Sequence, residues 1–222
     1  SGRKDLVTEL DKATQDFLIE KIQAFDPEAK ILGEENGLDR LSDFSGRVFI
    51  IDPIDGTMNF VLEKENFCIM IAVYEEGQGR FGFVYNVMKN EFLWGGPEIG
   101  VFCNGKKIDP PKDIALEEGL IGLNAPMLMH NRHHEVEMSE RALGVRMTGC
   151  AGIELIALVL GQRAGYISNL APWDYAPGGI LMETLGLKMA NITGEELALD
   201  GRELFIGGTP TAFQELLTIA NQ

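Results

Sequence analysis

The segment Asp52-Pro53-Ile54-Asp55-Gly56-Thr57 carries two carboxylates three residues apart, followed by a glycine and a hydroxyl. It comes straight after the apolar run 48–51, whose β-branched and aromatic side chains mark a buried strand. Pro53 fixes its own φ and biases Asp52 toward extended geometry, so the strand end should hold Asp52 rigidly. Asp55 stands where it would cap a helix beginning at Gly56-Thr57. Such a turn brings hard carboxylate oxygens and the unpaired N–H groups of a helix start to one spot. Mg2+ takes few protein ligands, all oxygen, and prefers a phosphate partner. Helix N-termini bind phosphate. The chemistry that needs both together is phosphoryl transfer.

Aspartates are common in turns, so the pair gains meaning only from its companions. Glu34-Glu35 follows Gly33 at the end of the short strand pattern 29–32. Asp174 follows Trp173 at the start of an apolar helical pattern, and Asp11 closes the run 5–11. Taken singly, these are a solvated pair and two helix caps. Four acidic positions, each at an element boundary, suggest one carboxylate cluster. His130, His133 and His134 lie far along the chain from it and read as a surface helix start. Met127, Met129 and Met138 read as packing residues.

The elements that must position these groups are legible in outline. Helical spacing of Ala13, Phe17, Leu18, Ile22 and Phe25 predicts a helix over 11–25, stopped by Pro27. Strands are predicted over 29–32 and 48–51, then 67–74, 80–85, 91–94 and 100–103 as an antiparallel meander divided by Gly and Asn turns. Past Pro110-Pro111 the pattern alternates. Strands fall over 120–123, 145–147, 165–168 and 204–207, and helices over 132–143, 154–160, 173–185 and 211–220. The chain thus divides into an α+β half, about 1–110, and an α/β half, about 111–222, with a cleft between them.

Composition narrows the function classes. The chain has 222 residues, 45% of them hydrophobic and 24% charged, which excludes disorder and fibre. Against 19 basic residues stand 34 acidic ones, a net charge of -15. That balance disfavours nucleic acid and anionic membrane as partners. Cys68, Cys103 and Cys150 form no metal or disulfide pattern, and a reducing cytoplasm is expected. No apolar run approaches the ~20 residues of a spanning helix.

The motifs Asp5-Leu-Val-Thr-Glu-Leu-Asp11, Gly33-Glu-Glu35, Asp52-Pro-Ile-Asp-Gly-Thr-Met-Asn-Phe60 and Trp173-Asp174 resemble, in order and spacing, those of the inositol monophosphatase family. The resemblance covers essentially the whole chain. It implies a single domain, a layered αβαβα sandwich of mixed α+β and α/β character, and Mg2+-dependent, lithium-sensitive phosphate monoesterase activity. A long N-terminal helix that the family carries before the first motif is expected to be missing here. Carried over by residue, the resemblance implies that Glu34, Asp52 and the Ile54 carbonyl hold a first metal. Asp52, Asp55 and Asp174 would hold a second, and Glu34 would touch a third with Glu35 behind it. Mn2+ would be a substitute, and Li+ and Ca2+ inhibitors. Gly56 and Thr57 would bind phosphate through backbone N–H groups. Thr57 and Asp11 would orient and help deprotonate the attacking water. Glu34, Ile54, Asp55, Asp174, Cys150 and Ala151 would also line the substrate. A homodimer is expected.

The substrate side departs from the pattern. Cys150 stands where the family usually has Ser or Thr. Ile167 stands where animal members have a glutamate that contacts inositol hydroxyls, which implies a more apolar rim and loosens inositol specificity. NADP(H), 3′-phosphoadenosine 5′-phosphate and fructose 1,6-bisphosphate are therefore alternative substrates. A regulatory protein-binding role on the same fold is a second class, and a divalent-ion buffer a third. Asp55→Asn is expected to abolish turnover and leave the fold intact.

Overall fold

A computed structural model of the chain describes residues 9–35 and 37–222. The stretch 1–8, which holds most of the first motif and Lys4, lies outside the described residues. The first helix, α1 (Glu9–Phe25), leads into β1 (Lys30–Gly33) and β2 (Arg47–Asp55). After a short α2 (Thr57–Leu62) comes the meander β3 (Cys68–Glu75), β4 (Gln78–Asn86), β5 (Glu91–Gly96), β6 (Gly100–Cys103) and β7 (Lys106–Lys107). These seven strands form one sheet in chain order, antiparallel except for the parallel β1–β2 pair.

The rest of the chain builds a second sheet. Its elements are β8 (Leu120–Leu123), α3 (Ala125–His130), α4 (Glu135–Arg141), β9 (Gly144–Arg146), α5 (Ala151–Val159) and β10 (Gly165–Leu170). They are followed by α6 (Pro172–Thr184), β11 (Lys188–Asn191), β12 (Glu203–Gly208) and α7 (Pro210–Ala220). The strand order is β11-β12-β10-β8-β9, with parallel and antiparallel pairs mixed. The layers run α1, first sheet, α5 with α6, second sheet, then α4 with α7. That is the expected αβαβα sandwich.

Burial explains this order. In α5 every residue from Ala151 to Val159 is buried, and in α6 Pro172 to Met182 are, so neither helix has a wet face. Helices apolar all round belong inside, between sheets. The main core joins Leu32, Ile50, Met70 and Val84 of the first sheet to Leu155, Tyr175, Leu181 and Phe205. A smaller core of Leu123, Ile167, Ile206 and Leu216 lies under α7. On the outer face of the first sheet, Ile22 of α1 packs on Phe49 and Ile51.

Several elements differ from the sequence expectation. The strand that was to stop before Asp52 continues through Asp55, with a register irregularity between Asp52 and Asp55 where Pro53 lacks an N–H for the ladder. The helix expected over 132–143 is the shorter α4, entered through His134 in a left-handed conformation. Strand β11 and helix α3 carry too little periodic signal to be read from sequence.

One contact sets how closely the layers approach. A Cβ on Gly82 of β4 would lie 2.1 Å from the Pro177 carbonyl oxygen in α6. Backbone on both sides leaves nothing to yield. Gly82→Ala is expected to cost about 3 kcal/mol, at the upper end of overpacking penalties, read as a lowered urea midpoint with an unchanged m value. An unchanged midpoint would show that α6 does not pack this tightly.

Candidate active site

Three of the four acidic segments meet at one end of the sandwich. Asp52 and Asp55 come from the end of β2, Asp174 from the first turn of α6, and Glu34 from the residue after β1. Parallel pairing of β1 with β2 places their carboxyl ends side by side. Asp52, Asp55 and Asp174 are all buried, and each offers one carboxylate oxygen within 4.8 Å of the others. With Glu34 they line a cleft of about 340 Å³. Glu34 lies outside the tight triad. Glu35 is buried, and its backbone is held by the Gln15 amide at 2.7 and 3.0 Å; it does not line the cleft.

The aspartates are not the caps that sequence suggested. Gly56, at φ 86°, is the N-cap of α2, a left-handed geometry that favours glycine. Asp55 turns the other way and receives the N–H groups of Ala151 and Gly152 and the thiol of Cys150, anchoring the start of α5. Asp174 sits in the third position of α6 and accepts the Ala171 N–H at 2.7 Å and Arg202 Nη1 at 3.1 Å. Asp11 lies inside the first turn of α1 and is buried. The Thr57 hydroxyl stands 3.2 Å from Asp11 Oδ1 and 3.1 Å from the Ile54 carbonyl. Cys150 Sγ lies 3.1 Å from Asp55 Oδ2, so it braces that aspartate.

Electrostatics marks the cluster as incomplete by itself. Burial, then Asp174, Asp55 and Glu35, push the Glu34 carboxyl up to about 8. Burial and Asp55 push Asp174 up to about 7, opposed by Arg202. Asp52 is raised well above the usual carboxylate range by burial and by Glu34. Burial also raises Asp55, against the N–H groups it accepts. Asp52 Oδ1 takes the Ile54 N–H at 3.1 Å, but Oδ2 is buried with no hydrogen-bond partner among the described residues. A buried, unpaired carboxylate oxygen costs several kcal/mol unless a cation or donor meets it. Three converging hard oxygens, one of them orphaned, fit a hard divalent cation.

The remaining cleft wall is polar, and sequence reasoning missed most of it. Asn124, Thr148, Glu154, Tyr166, Ser168 and Arg202 line it. Glu154 is buried and paired with Arg163 at 2.9 Å. A lone charge in the apolar helix 151–159 was the available signal. Ile167 is fully buried in the smaller core and does not line the cleft. Strand alternation gives the cleft its neighbours Tyr166 and Ser168, so the expected apolar rim at Ile167 is absent.

The sequence model of the inositol monophosphatase family matches residues 1–222. The chain belongs to that family. Like other inositol monophosphatase family proteins, it is a phosphatase that hydrolyses phosphate monoesters. An inositol-1-monophosphatase of Bacillus subtilis (strain 168) is 37% identical over 98% of this chain and 85% of its own length. A fructose-1,6-bisphosphatase/inositol-1-monophosphatase of Thermotoga maritima is 29% identical over 100% of this chain and 85% of its own. The crystal structure of an IMPase/NADP phosphatase complexed with Mg2+ and phosphate superposes with a TM-score of 0.92, at 29% identity, over 99% of this chain and 84% of that one. Among the described residues no helix is long and apolar enough to cross a membrane.

Proposed function

We propose that this protein removes phosphate from a small phosphorylated metabolite, with Mg2+ held by Asp52, Asp55, Asp174, Glu34 and the Ile54 carbonyl. The observation that carries it is the buried aspartate triad with the orphaned Asp52 oxygen, beside the first turn of α2. Two to three ions, with Mn2+ as substitute and Li+ and Ca2+ as inhibitors, belong to the same proposal. Bound Mg2+ would polarise the attacking water and offset charge on the phosphoryl oxygens. Uncatalysed monoester hydrolysis is so slow that the site must supply on the order of 20 kcal/mol.

The chain's own groups divide the rest of the work. Gly56 and Thr57 open α2, whose first N–H groups have no intrahelical acceptor and can hold phosphate oxygens. The Thr57 hydroxyl, shared between Asp11 and the Ile54 carbonyl, accepts a proton-bearing water on its cleft side and hands the proton toward Asp11. Asp11, buried and 3.2 Å from the Thr57 hydroxyl, would act as the base. Cys150, Ala151, Tyr166 and Ser168 line the cleft in which the substrate would lie. Glu35 supports Glu34 from behind. Thr57→Val, which keeps shape and removes the hydroxyl, is expected to lower kcat by about 10²- to 10⁴-fold with little change in melting temperature. Retained kcat would remove Thr57 from the proton path.

Inositol 1-phosphate is the first substrate to test, since the Bacillus relative bears that name. NADP and fructose 1,6-bisphosphate follow from the other two relatives. The experiment is phosphate release from these three and 3′-phosphoadenosine 5′-phosphate, in Mg2+, in EDTA, and in Mg2+ plus Li+. Metal-dependent release from at least one is expected. No release from any would overturn the substrate class. The main core draws on both sheets, which supports one domain over 1–222 with approximate halves 1–110 and 111–222. A homodimer in the cytoplasm, without nucleic acid or membrane partners, completes the proposal.

A further inference from the structure

A pocket of about 260 Å³ opens at the other end of α6 from the aspartate cleft. Helix α6 carries Asp174 in its first turn and Glu183 in its last, nine positions and about 14 Å apart along the axis. Glu183 lines this pocket with Glu196, and Tyr74 and Tyr175 stand with them. The pocket shares no lining residue with the aspartate cleft.

Its hydrogen bonding is unfinished. Tyr74 is only 8% exposed, yet its hydroxyl meets no partner among the described residues. A buried hydroxyl left unpaired is costly unless water or a ligand meets it. Tyr74 sits at an irregularity in the β3–β4 pairing: Val73 pairs with Phe81 but Tyr74 with Gly79, which skips Arg80. Such bulges re-aim a side chain. The Tyr175 hydroxyl accepts the Leu199 N–H at 3.1 Å and keeps a second lone pair.

The charge around these hydroxyls is negative. Partial burial and Glu196 push the Glu183 carboxyl above its ordinary range, with Lys188 opposing. Burial, Tyr175, Glu183 and Glu196 all raise the Tyr74 phenol, so these groups face one space. Neither glutamate makes an ion pair among the described residues. The carbonyl end of the α6 dipole adds to the negative field. Groups of three or more converging metal ligands among the described residues are confined to the triad, so a metal ion is poorly served here. Met189, Leu197 and the tyrosine rings instead offer a surface that rewards a carbon chain bearing a cation. An ammonium has three N–H donors and no acceptor, which suits two carboxylates and a hydroxyl. We propose that this pocket binds a small aliphatic amine, its ammonium among Glu183, Glu196 and the Tyr74 hydroxyl and its chain on Met189 and Leu197.

The test titrates the full chain, saturated with Mg2+ at neutral pH, with n-butylammonium chloride in a calorimeter. Potassium chloride and 1-butanol, at matched concentration, are the controls. Saturable single-site binding of n-butylammonium is expected, and none of either control. Glu183→Gln and Glu196→Gln should each weaken it about tenfold, and Tyr74→Phe about threefold, as befits charge-assisted and neutral hydrogen bonds. All three variants should keep the parent's kcat for phosphate release. Asp52→Asn should bind n-butylammonium as the parent does, because Asp52 belongs to the other cleft. Binding that both glutamine variants retain would overturn the site. Loss of binding in Asp52→Asn would move the amine to the triad and overturn it as well. Equal heat from potassium chloride would reduce the effect to screening of the net charge of -15, and equal binding of 1-butanol would leave no role for the ammonium. Either result overturns the proposal, as does the absence of saturable binding.

Discussion

Replacing Asp52 by Asn should lower phosphate release by at least ~10³-fold while leaving the metal-free protein folded and no less stable. The two oxygens of Asp52 have different duties. Oδ1 accepts the Ile54 N–H at 3.1 Å, and an asparagine oxygen can do the same. Oδ2 is buried and unpartnered among the described residues, and there the amide NH2 replaces an oxygen that burial and Glu34 already make costly to ionise. Exchanging an unpaired buried charge for a neutral group of the same shape relieves the metal-free fold. It also removes one anionic ligand from the triad. Loss of a single preorganised electrostatic contact typically costs 10²–10³ in rate, and a metal ligand is worth at least that. Steady-state phosphate release, with melts run in parallel, decides the matter. Turnover within tenfold of the parent protein would exclude Asp52 as a ligand.

Asp55→Asn, which sequence alone favours as the clean test, is the poorer one. Asp55 accepts the N–H groups of Ala151 and Gly152 and the Cys150 thiol, so an amide there must turn a donor toward a donor. Activity should fall as far, but with a loss of roughly 1–3 kcal/mol in stability from the frayed start of α5.

Mg2+ should raise the melting temperature by about 5–10 °C at a hundredfold excess over its Kd, and by more at pH 8 than at pH 6. Saturation to that degree contributes about 2.7 kcal/mol by mass action, and a chain of this size shifts by about 2–4 °C per kcal/mol. The pH dependence follows from the carboxyls held high: Glu34 up to about 8 from 4.5, and Asp174 up to about 7 from 3.8. Both keep protons in the fold that they release in the unfolded chain across roughly pH 4 to 8. Stability of the metal-free protein from these groups is therefore fully present below about pH 4 and lost as pH rises through 7 and 8. A divalent cation favours their ionised forms, so its stabilisation grows over the same window. Potassium chloride at matched ionic strength controls for screening of the net charge of -15. A melting temperature indifferent to Mg2+, or a shift independent of pH, would mean the triad does not hold the ion.

The sequence determined a good deal of this protein by itself. Periodicity placed the meander, the apolar helices and the strand before Asp52, because apolar spacing reports which face is buried. The four acidic segments were legible because each stands at an element boundary. Their motifs were specific enough to give the family and the expected sandwich. Tertiary structure decided what each carboxylate does. Parallel pairing of β1 with β2 sets Gly33 and Ile51 side by side and carries Glu34 to the cleft with Asp52, 18 residues further along the chain. Whether Asp55 caps α2 or braces α5 depends on which N–H groups lie near it in space, and no local pattern encodes that. Ile167 matched a substrate position by counting, yet strand alternation turns it into the smaller core and gives Ser168 to the cleft. Arg202 belongs to no motif at all. It reaches Asp174 only because β12 pairs antiparallel with β10, which brings residues 28 positions apart to within a hydrogen bond.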